Sequence, residues 1–171
     1  MPEPPDKRTQ VCLGKPNFLW MMYRSGWGTK EGQEVTLAVR LKRAAFDTLL
    51  QEAIYSTFVP GVYASEDAWK HAVATSSVRL QWDPDHQPSG AKLERRAIQL
   101  GLRGPALARY AREWIVEVED ISEFVREQRH YVMSHANSQQ MTPRETVYAV
   151  HDREVATRLG LSTTDTGDAR E

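Results

Sequence analysis

Apolar and polar residues alternate in three short segments of the chain, and strict alternation is the pattern of a β-strand that buries one face. The segments are Glu34–Leu41, Ser77–Asp83 and Arg96–Arg103, and a fourth strand is predicted at Trp114–Glu119. In the first of them, Val35, Leu37, Val39 and Leu41 share one face. The pattern therefore predicts strands whose apolar residues point towards a core and whose polar residues point away from it.

Other segments carry apolar residues at the spacing of an amphipathic helix. The predicted helices are a buried turn at Asn17–Tyr23, a helix at Arg43–Tyr55, one at Glu66–Ala74, one from Gly104 to about Glu113, and one from Ile121 to about Ser134. Ser65 is predicted as an N-cap, and Pro105 stands in the first turn of its helix, where proline is favoured. The polar, proline-rich residues 83–90 are predicted to form an exposed connection between two strands.

The order of these elements predicts an α+β fold, with a mixed, largely antiparallel sheet of four or more strands and helices packed on one face. A chain of 171 residues suits one domain, which we place at residues 14–160. Residues 1–13 are expected to be a divergent, flexible N-terminus, and residues 161–171 a disordered tail.

Composition narrows the classes of function. The chain has 22 Lys and Arg residues against 23 Asp and Glu residues, a balance that argues against a protein that coats DNA through bulk charge. The N-terminus carries prolines and charges where a signal peptide needs an apolar run, and no stretch reaches the roughly 18 apolar residues of a membrane span. We therefore expect a soluble, cytoplasmic protein. The five histidines are scattered, and no metal site is predicted.

The face of the predicted sheet opposite the apolar one is polar and has two interpretations. Its residues are Arg40, Arg79, Gln81, Gln99, Arg103, Glu117 and Glu119. One interpretation is a solvated face with cross-strand Arg–Glu pairs. The other is a polar concavity in which Arg79, Arg103 and Gln99 hold an anionic ligand beside an acidic residue.

A second candidate site lies in Lys15–Glu34, where large apolar residues run directly into a polar, glycine-rich turn. The candidate ligand-binding residues of this turn are Arg24, Ser25, Trp27, Lys30 and Gln33. Such donors and acceptors suit a phosphate or polar ligand, glycines let the backbone approach it, and tryptophan offers a stacking surface. The alternative interpretation is a turn whose charges are merely solvated.

Together with Ser77–Pro84, Arg96–Gly104 and Trp114–Val116, this stretch resembles the domain-of-unknown-function family 4291 of bacteria and fungi. The resemblance covers roughly residues 14–120 and continues weakly to about Leu159. Members usually carry several tens of further residues before the Lys-Pro-x-Phe-Leu-Trp motif. The resemblance thus implies that this chain lacks an N-terminal element of the family.

Two classes of function follow for a domain that handles a nucleotide-like or phosphate-bearing ligand. By fold-level analogy with the ADP-ribosyltransferases, Arg24, Ser25 and Trp27 would bind NAD, and a strand-borne acid would catalyse transfer. The candidate catalytic residues are Glu117 and Glu119. The alternative is a non-catalytic module that binds RNA or protein through the same aromatic and basic surface, or a truncated and inactive family member.

Overall fold

The structure is a computed structural model that describes residues 16–134 and 139–161, together with the backbone of the strand Val11–Leu13. Most of the predicted flexible N-terminus and disordered tail, and Lys15 of the sequence motif, lie outside the described residues. Val11–Leu13 belongs to the predicted flexible segment, and it pairs with a central strand of the fold.

The nine predicted helices and strands occur in the predicted order, and three further elements were not predicted: strands at Val11–Leu13 and Ala53–Tyr55 and a helix at Arg153–Arg158. The strands are β1 (Val11–Leu13), β2 (Leu37–Leu41), β3 (Ala53–Tyr55), β4 (Val78–His86), β5 (Lys92–Leu102) and β6 (Ile115–Asp120). The helices are α1 (Phe18–Ser25), α2 (Arg43–Glu52), α3 (Glu66–Thr75), α4 (Gly104–Arg109), α5 (Ser122–Met133) and α6 (Arg153–Arg158), and a π-helical turn (Tyr110–Trp114) continues α4. The predicted N-cap is confirmed, because the Ser65 side chain accepts a hydrogen bond from the backbone N–H of Ala68.

The strands form two sheets. One is a four-stranded mixed sheet in the order β1-β5-β4-β3, in which β3 is parallel to β4 and the other pairs are antiparallel. The other contains β2 and β6 in antiparallel pairing. The α+β fold with a mixed, largely antiparallel sheet is therefore confirmed, although two of the predicted strands belong to a sheet of their own.

The main core lies on the apolar face of β4 and β5. In the register of this pair, Val78 lies opposite Leu102 and Leu80 opposite Leu100, and all four side chains are buried. The buried side chains that join this cluster from the helices are Ala45, Leu49 and Leu50 of α2, Ala106 of α4, and Val155 and Ala156 of α6, followed by Leu159. The alternation predicted for these two strands is confirmed, because helices cover one face of them.

The predicted helix at Arg43–Tyr55 ends early and runs into β3. Its last turn is closed by Arg158, whose guanidinium donates hydrogen bonds to the carbonyl oxygens of Leu50, Gln51 and Ala53. A cation at this end also interacts favourably with the helix dipole. The chain can therefore leave the helix at Glu52, and Ile54 then extends alongside Arg79 of β4.

The prediction that Val35, Leu37 and Val39 face the core is wrong. Their exposed fractions are 66%, 53% and 37%, respectively. Val35 precedes β2, and the other two belong to the two-stranded sheet, apart from the helices that cover β4 and β5. Alternation reports a face that is suited to burial, but it does not ensure that another element packs against that face.

The extended residues before α6 are attached to α2 through Tyr148. The Tyr148 hydroxyl donates a 2.8 Å hydrogen bond to Asp47 Oδ1, and its ring packs edge-on against Phe46 with 4.8 Å between centroids. Burial, followed by the bond to Asp47, raises the pKa of Tyr148 to about 12.

Replacing Tyr148 by phenylalanine is expected to lower the free energy of unfolding by about 1 to 2 kcal/mol at pH 7, because a hydrogen bond to a carboxylate is lost. A pKa raised in the folded state stabilises the fold below the unfolded value near 10, and this contribution is lost as the pH rises through about 12. Urea unfolding should therefore show the difference between wild type and variant shrinking above pH 10. Tyr131→Phe is the matched control, and equal stability of Tyr148→Phe and wild type at pH 7 would refute this role.

Candidate functional site

The polar turn after α1 is held together by two of its own predicted site residues. Ser25 is buried, and its Oγ accepts a hydrogen bond from the N–H of Gly28 at 3.1 Å. Lys30 Nζ donates a 2.6 Å hydrogen bond to the carbonyl oxygen of Arg24. Gly26 ends α1 in the left-handed region at φ 59°, where glycine is favoured. Ser25 and Lys30 thus stabilise the turn itself.

The other predicted residues of the turn have different surroundings. Trp27 packs edge-on against Phe18, with 6.0 Å between the ring centroids. Gln33 donates its backbone N–H to Lys30, and the side chain of Arg24 is exposed. The role of Arg24, Trp27 and Gln33 in ligand binding stays a prediction.

Arg103 is engaged in capping a helix. Its guanidinium donates hydrogen bonds to the carbonyl oxygens of Val73, Ala74 and Ser76, at the end of α3, at 2.8, 2.5 and 2.8 Å. Carbonyl groups at the end of a helix lack partners within it, and a cation there also offsets the negative end of the helix dipole. The geometry therefore gives Arg103 a structural task that the sequence pattern did not indicate.

Arg79, Gln81 and Gln99 lie along the middle of β4 and β5. In the register of these strands Arg79 lies opposite Gly101 and Gln81 opposite Gln99, and Gln81 also donates a 2.7 Å hydrogen bond to Asp83. The Nε of Arg79 is buried and has no hydrogen-bond partner within the described residues. Its use in ligand binding, like that of Gln81 and Gln99, stays a prediction.

The candidate catalytic acids lie in the other sheet. Glu117 pairs across the strands with Arg40 at 2.6 Å, and both side chains are more than half exposed. Glu119 lies opposite Ala38 and is exposed as well. The Arg40–Glu117 pair is the cross-strand contact expected of a solvated face.

Sequence reasoning missed a buried carboxylate at the end of the β4–β5 hairpin. Asp85 is 1% exposed, and its carboxylate accepts hydrogen bonds from Arg95 Nε at 2.7 Å, from Arg95 Nη2, and from the backbone N–H of His86 at 2.7 Å. The prediction that residues 83–90 form an exposed connection is therefore wrong for Asp85 and His86. The strand continues through them to His86.

His86 is buried against an aromatic ring of α1. Its imidazole stacks on Tyr23 with 3.9 Å between the centroids and 12° between the planes. His86 is 2% exposed, whereas Tyr23 is 50% exposed. Neither ring nitrogen of His86 has a hydrogen-bond partner among the residues that the structure describes. A buried polar group without a partner costs roughly 1 to 3 kcal/mol, so this arrangement is unusual for a residue of a plain core.

Glu145 connects this hairpin to the start of α1. Its carboxylate accepts hydrogen bonds from the backbone N–H of Phe18 at 2.6 Å and from Asn17 Nδ2 at 3.0 Å, and it lies 3.9 Å from Arg95 Nη2. Three distant parts of the chain therefore meet here. We call this group of residues the Tyr23–His86 site, and its members are Tyr23, Asp85, His86, Arg95 and Glu145.

One signal in the sequence points to this site. The alternation of Val78, Leu80 and Trp82 continues through Pro84 to His86, so extending the strand by three residues places His86 on the apolar side and Asp85 on the polar side. The predicted strand stopped too early because the prolines and the Ser-Gly pair of this segment are typical of a loop. Arg95 carries no local signal of its contact with Asp85, and Glu145 carries none of its contact with Arg95.

A separate open cleft of about 470 Å³ lies between the loop at Gly61 and Val62 and the helix α6. Arg153, Thr157 and Arg158 line it from the helix. Arg158 is already bound to the carbonyl oxygens at the end of α2, and none of the predicted site residues lines the cleft. Arg158 is therefore not available to bind a ligand in this cleft, despite the volume of the cleft.

Neither a metal site nor a membrane span is found in the described part of the chain. No group of three or more His, Cys, Asp or Glu side chains there is placed to hold a metal ion. No helix within the same residues is long and apolar enough to cross a membrane.

The chain was compared with known proteins. No curated protein and no solved structure matches it. A family model described as "Domain of unknown function (DUF4291)" matches residues 4–148, which include every member of the Tyr23–His86 site but not α6. The resemblance seen in the sequence motifs is thereby confirmed, and the chain belongs to the DUF4291 family.

Proposed function

We propose that this domain binds a nucleotide-like ligand without transforming it, and that the planar ring of the ligand stacks on the exposed side of Tyr23. The observation that carries this proposal is the flat Tyr23–His86 stack, at 3.9 Å and 12°, in which one ring is buried and the other is half exposed. Stacking on an aromatic side chain contributes about 1 to 3 kcal/mol per base.

The stack is a rigid surface for a second ring. His86 is fixed by its place at the end of β4 and by Asp85, which its backbone N–H contacts. The buried imidazole in turn holds Tyr23 flat, so little side-chain entropy remains to be lost when a ligand binds. Preorganisation of this kind raises affinity because it lowers the cost of ordering.

Exposed arginines supply the charge for a phosphate group. Arg24 follows Tyr23 on α1 and is exposed, as the sequence-based site requires. The Arg95 side chain is 57% exposed at the rim of the site, although Asp85 balances its charge. We therefore expect Arg24 to be the main contact of the ligand's phosphate group. The affinity for the ligand should then fall as the salt concentration rises.

The same geometry favours binding over transfer chemistry. A catalytic acid works best in a water-excluded site, whereas Glu117 and Glu119 are exposed and belong to the two-stranded sheet. Glu145 lies at the Tyr23–His86 site, but its two carboxylate oxygens accept hydrogen bonds from the start of α1. The ADP-ribosyltransferase-like function would need one of these acids beside the bound ring, so we keep it as the alternative that the experiment tests.

The test measures the affinity of the purified chain for NAD, ATP and GTP by calorimetry, with mass spectrometry of the same mixtures to detect turnover. Tyr23→Ala is expected to weaken binding by about 10- to 100-fold, the equivalent of roughly 1.4 to 2.8 kcal/mol. Tyr23→Phe keeps the ring and should stay within a few-fold of wild type, and Tyr131→Ala on α5 is the control for loss of an unrelated tyrosine.

Three outcomes would overturn the proposal. Equal affinity of Tyr23→Ala and wild type would show that the ligand does not stack on Tyr23. Turnover of a nucleotide that Glu117→Gln or Glu119→Gln abolishes would establish the enzyme instead. Binding of a single-stranded RNA, with no binding of any of the three nucleotides, would favour the RNA-binding module.

A further inference from the structure

The two-stranded sheet exposes a cluster of large apolar side chains. The members on the strands are Leu37 (53% exposed), Val39 (37%), Val116 (58%) and Val118 (49%). Val39 lies directly opposite Val118, and Leu37 lies two residues from Val39 on the same strand, so these three share a face, whereas Val116 lies where the register of the two strands shifts. Contiguous exposed apolar residues of this kind mark interaction surfaces, and an isolated two-stranded sheet is only marginally stable in water.

The two strands of this sheet also differ at their edges. Among the described residues β2 pairs with β6 alone, and each strand therefore presents one edge for further backbone pairing. β6 carries Glu117, Glu119 and Asp120, whereas the one charged residue of β2 is Arg40, which Glu117 neutralises. Acidic residues on an edge strand prevent pairing with another strand, and β2 lacks this protection.

We propose that β2 pairs with β2 of a second copy of the chain, antiparallel and across a two-fold axis at Val39. This register places Val39 opposite Val39 of the copy, Leu37 opposite Leu41, and Ala38 opposite Arg40, with no like charges in contact. Pairing of β6 with itself about Val118 would instead set Glu117 against Glu119 twice, which is unfavourable. The charge pattern therefore selects the β2 edge and a second copy of the chain as its occupant.

The resulting four-stranded sheet, in the order β6-β2-β2-β6, gives each exposed apolar residue of β2 a new cross-strand neighbour. Each such neighbour contributes about 0.2 to 1 kcal/mol, and every contact except the Val39–Val39 pair on the axis occurs twice because the interface is isologous. The five residues of β2 make a small interface, so the dimer should be transient and concentration-dependent. This association is independent of the Tyr23–His86 site, which lies on other strands and on α1.

Sedimentation of the full chain over ~10 to 500 µM tests the proposal, and wild type should shift from monomer towards dimer in this range, as a small interface implies. Ala38→Lys is the decisive variant. In the dimer it sets a lysine against Arg40 of the copy, whereas within one chain it lies opposite Glu119 and gains a favourable partner. We expect the dimer dissociation constant to rise about tenfold while the melting temperature stays near wild type.

Two further variants complete the design. Ala38→Glu combined with Glu119→Gln places an acid opposite Arg40 of the copy without setting it against Glu119 of its own chain, and should tighten the dimer, which keeps the proposal testable if Ala38→Lys misfolds. Glu119→Gln relieves the acidic edge of β6 and should leave the dimer unchanged, but would strengthen it if β6 were the pairing strand. A wild-type chain that stays monomeric at all concentrations, or a dimer that Ala38→Lys does not weaken, would overturn the proposal.

Discussion

Replacing Arg95 by alanine is expected to lower the free energy of unfolding by about 3 kcal/mol, because it leaves the Asp85 carboxylate buried without its cation. Asp85 is 1% exposed, and Arg95 provides two of the three hydrogen bonds to it that the structure records. Removing one partner of a fully buried pair costs about 3 to 5 kcal/mol, and we take the lower end because the Arg95 side chain is 57% exposed. Chemical denaturation at neutral pH measures the loss.

The neighbouring arginine is a matched control for this variant. Arg96 lies over the ring of Trp82 at 4.9 Å and donates a 3.3 Å hydrogen bond to the carbonyl oxygen of Gly160. Arg96→Ala should therefore cost only about 1 kcal/mol. A cycle that combines Arg95→Ala with Asp85→Asn should show a coupling of more than about 1 kcal/mol. Equal losses for the two arginine variants would mean that water replaces Arg95 without penalty.

Four of the six strands were predicted from sequence, whereas β1, β3 and the arrangement of the strands in sheets were not. Ser77–Asp83 and Glu34–Leu41 alternate equally well. The first became β4, whose Val78 and Leu80 are fully buried under helices, while the second became β2, whose Leu37 and Val39 remain partly exposed. Alternation is a property of one strand, whereas burial depends on which element packs on it, and that choice is made by distant residues.

The candidate site shows the same limit for polar residues. Ser25, Lys30 and Arg103 have the chemistry to bind a phosphate, and they have the same chemistry to bind a backbone carbonyl or N–H. The fold gives them the second task. Asp85 and His86 were overlooked because the prolines around them are typical of a loop, and because their partners, Arg95 and Tyr23, come from other elements.

Replacing Arg103 by alanine is expected to lower the free energy of unfolding by about 2 to 3 kcal/mol. Three carbonyl oxygens at the end of α3 would lose their charged donor, and the helix end would lose a favourable cation. The loss is less than three separate hydrogen bonds because water reaches the half-buried site. Thermal and urea unfolding measure it, and Arg103→Lys, which keeps the charge but not the forked donors, should recover about half of the stability.

Ligand affinity distinguishes the helix-capping role of Arg103 from the ligand-binding role that the sequence predicted. In the register of β4 and β5, Leu102 lies opposite Val78, whereas the Tyr23–His86 site lies at the far end of β4, about 25 Å away at the rise of an extended strand. Folded Arg103→Ala should therefore bind the nucleotide ligand of the Tyr23–His86 site with nearly the affinity of the wild type. An Arg103→Ala variant with unchanged stability and much weaker binding would instead show that Arg103 contacts the ligand. The polar face of the four-stranded sheet would then belong to the binding site.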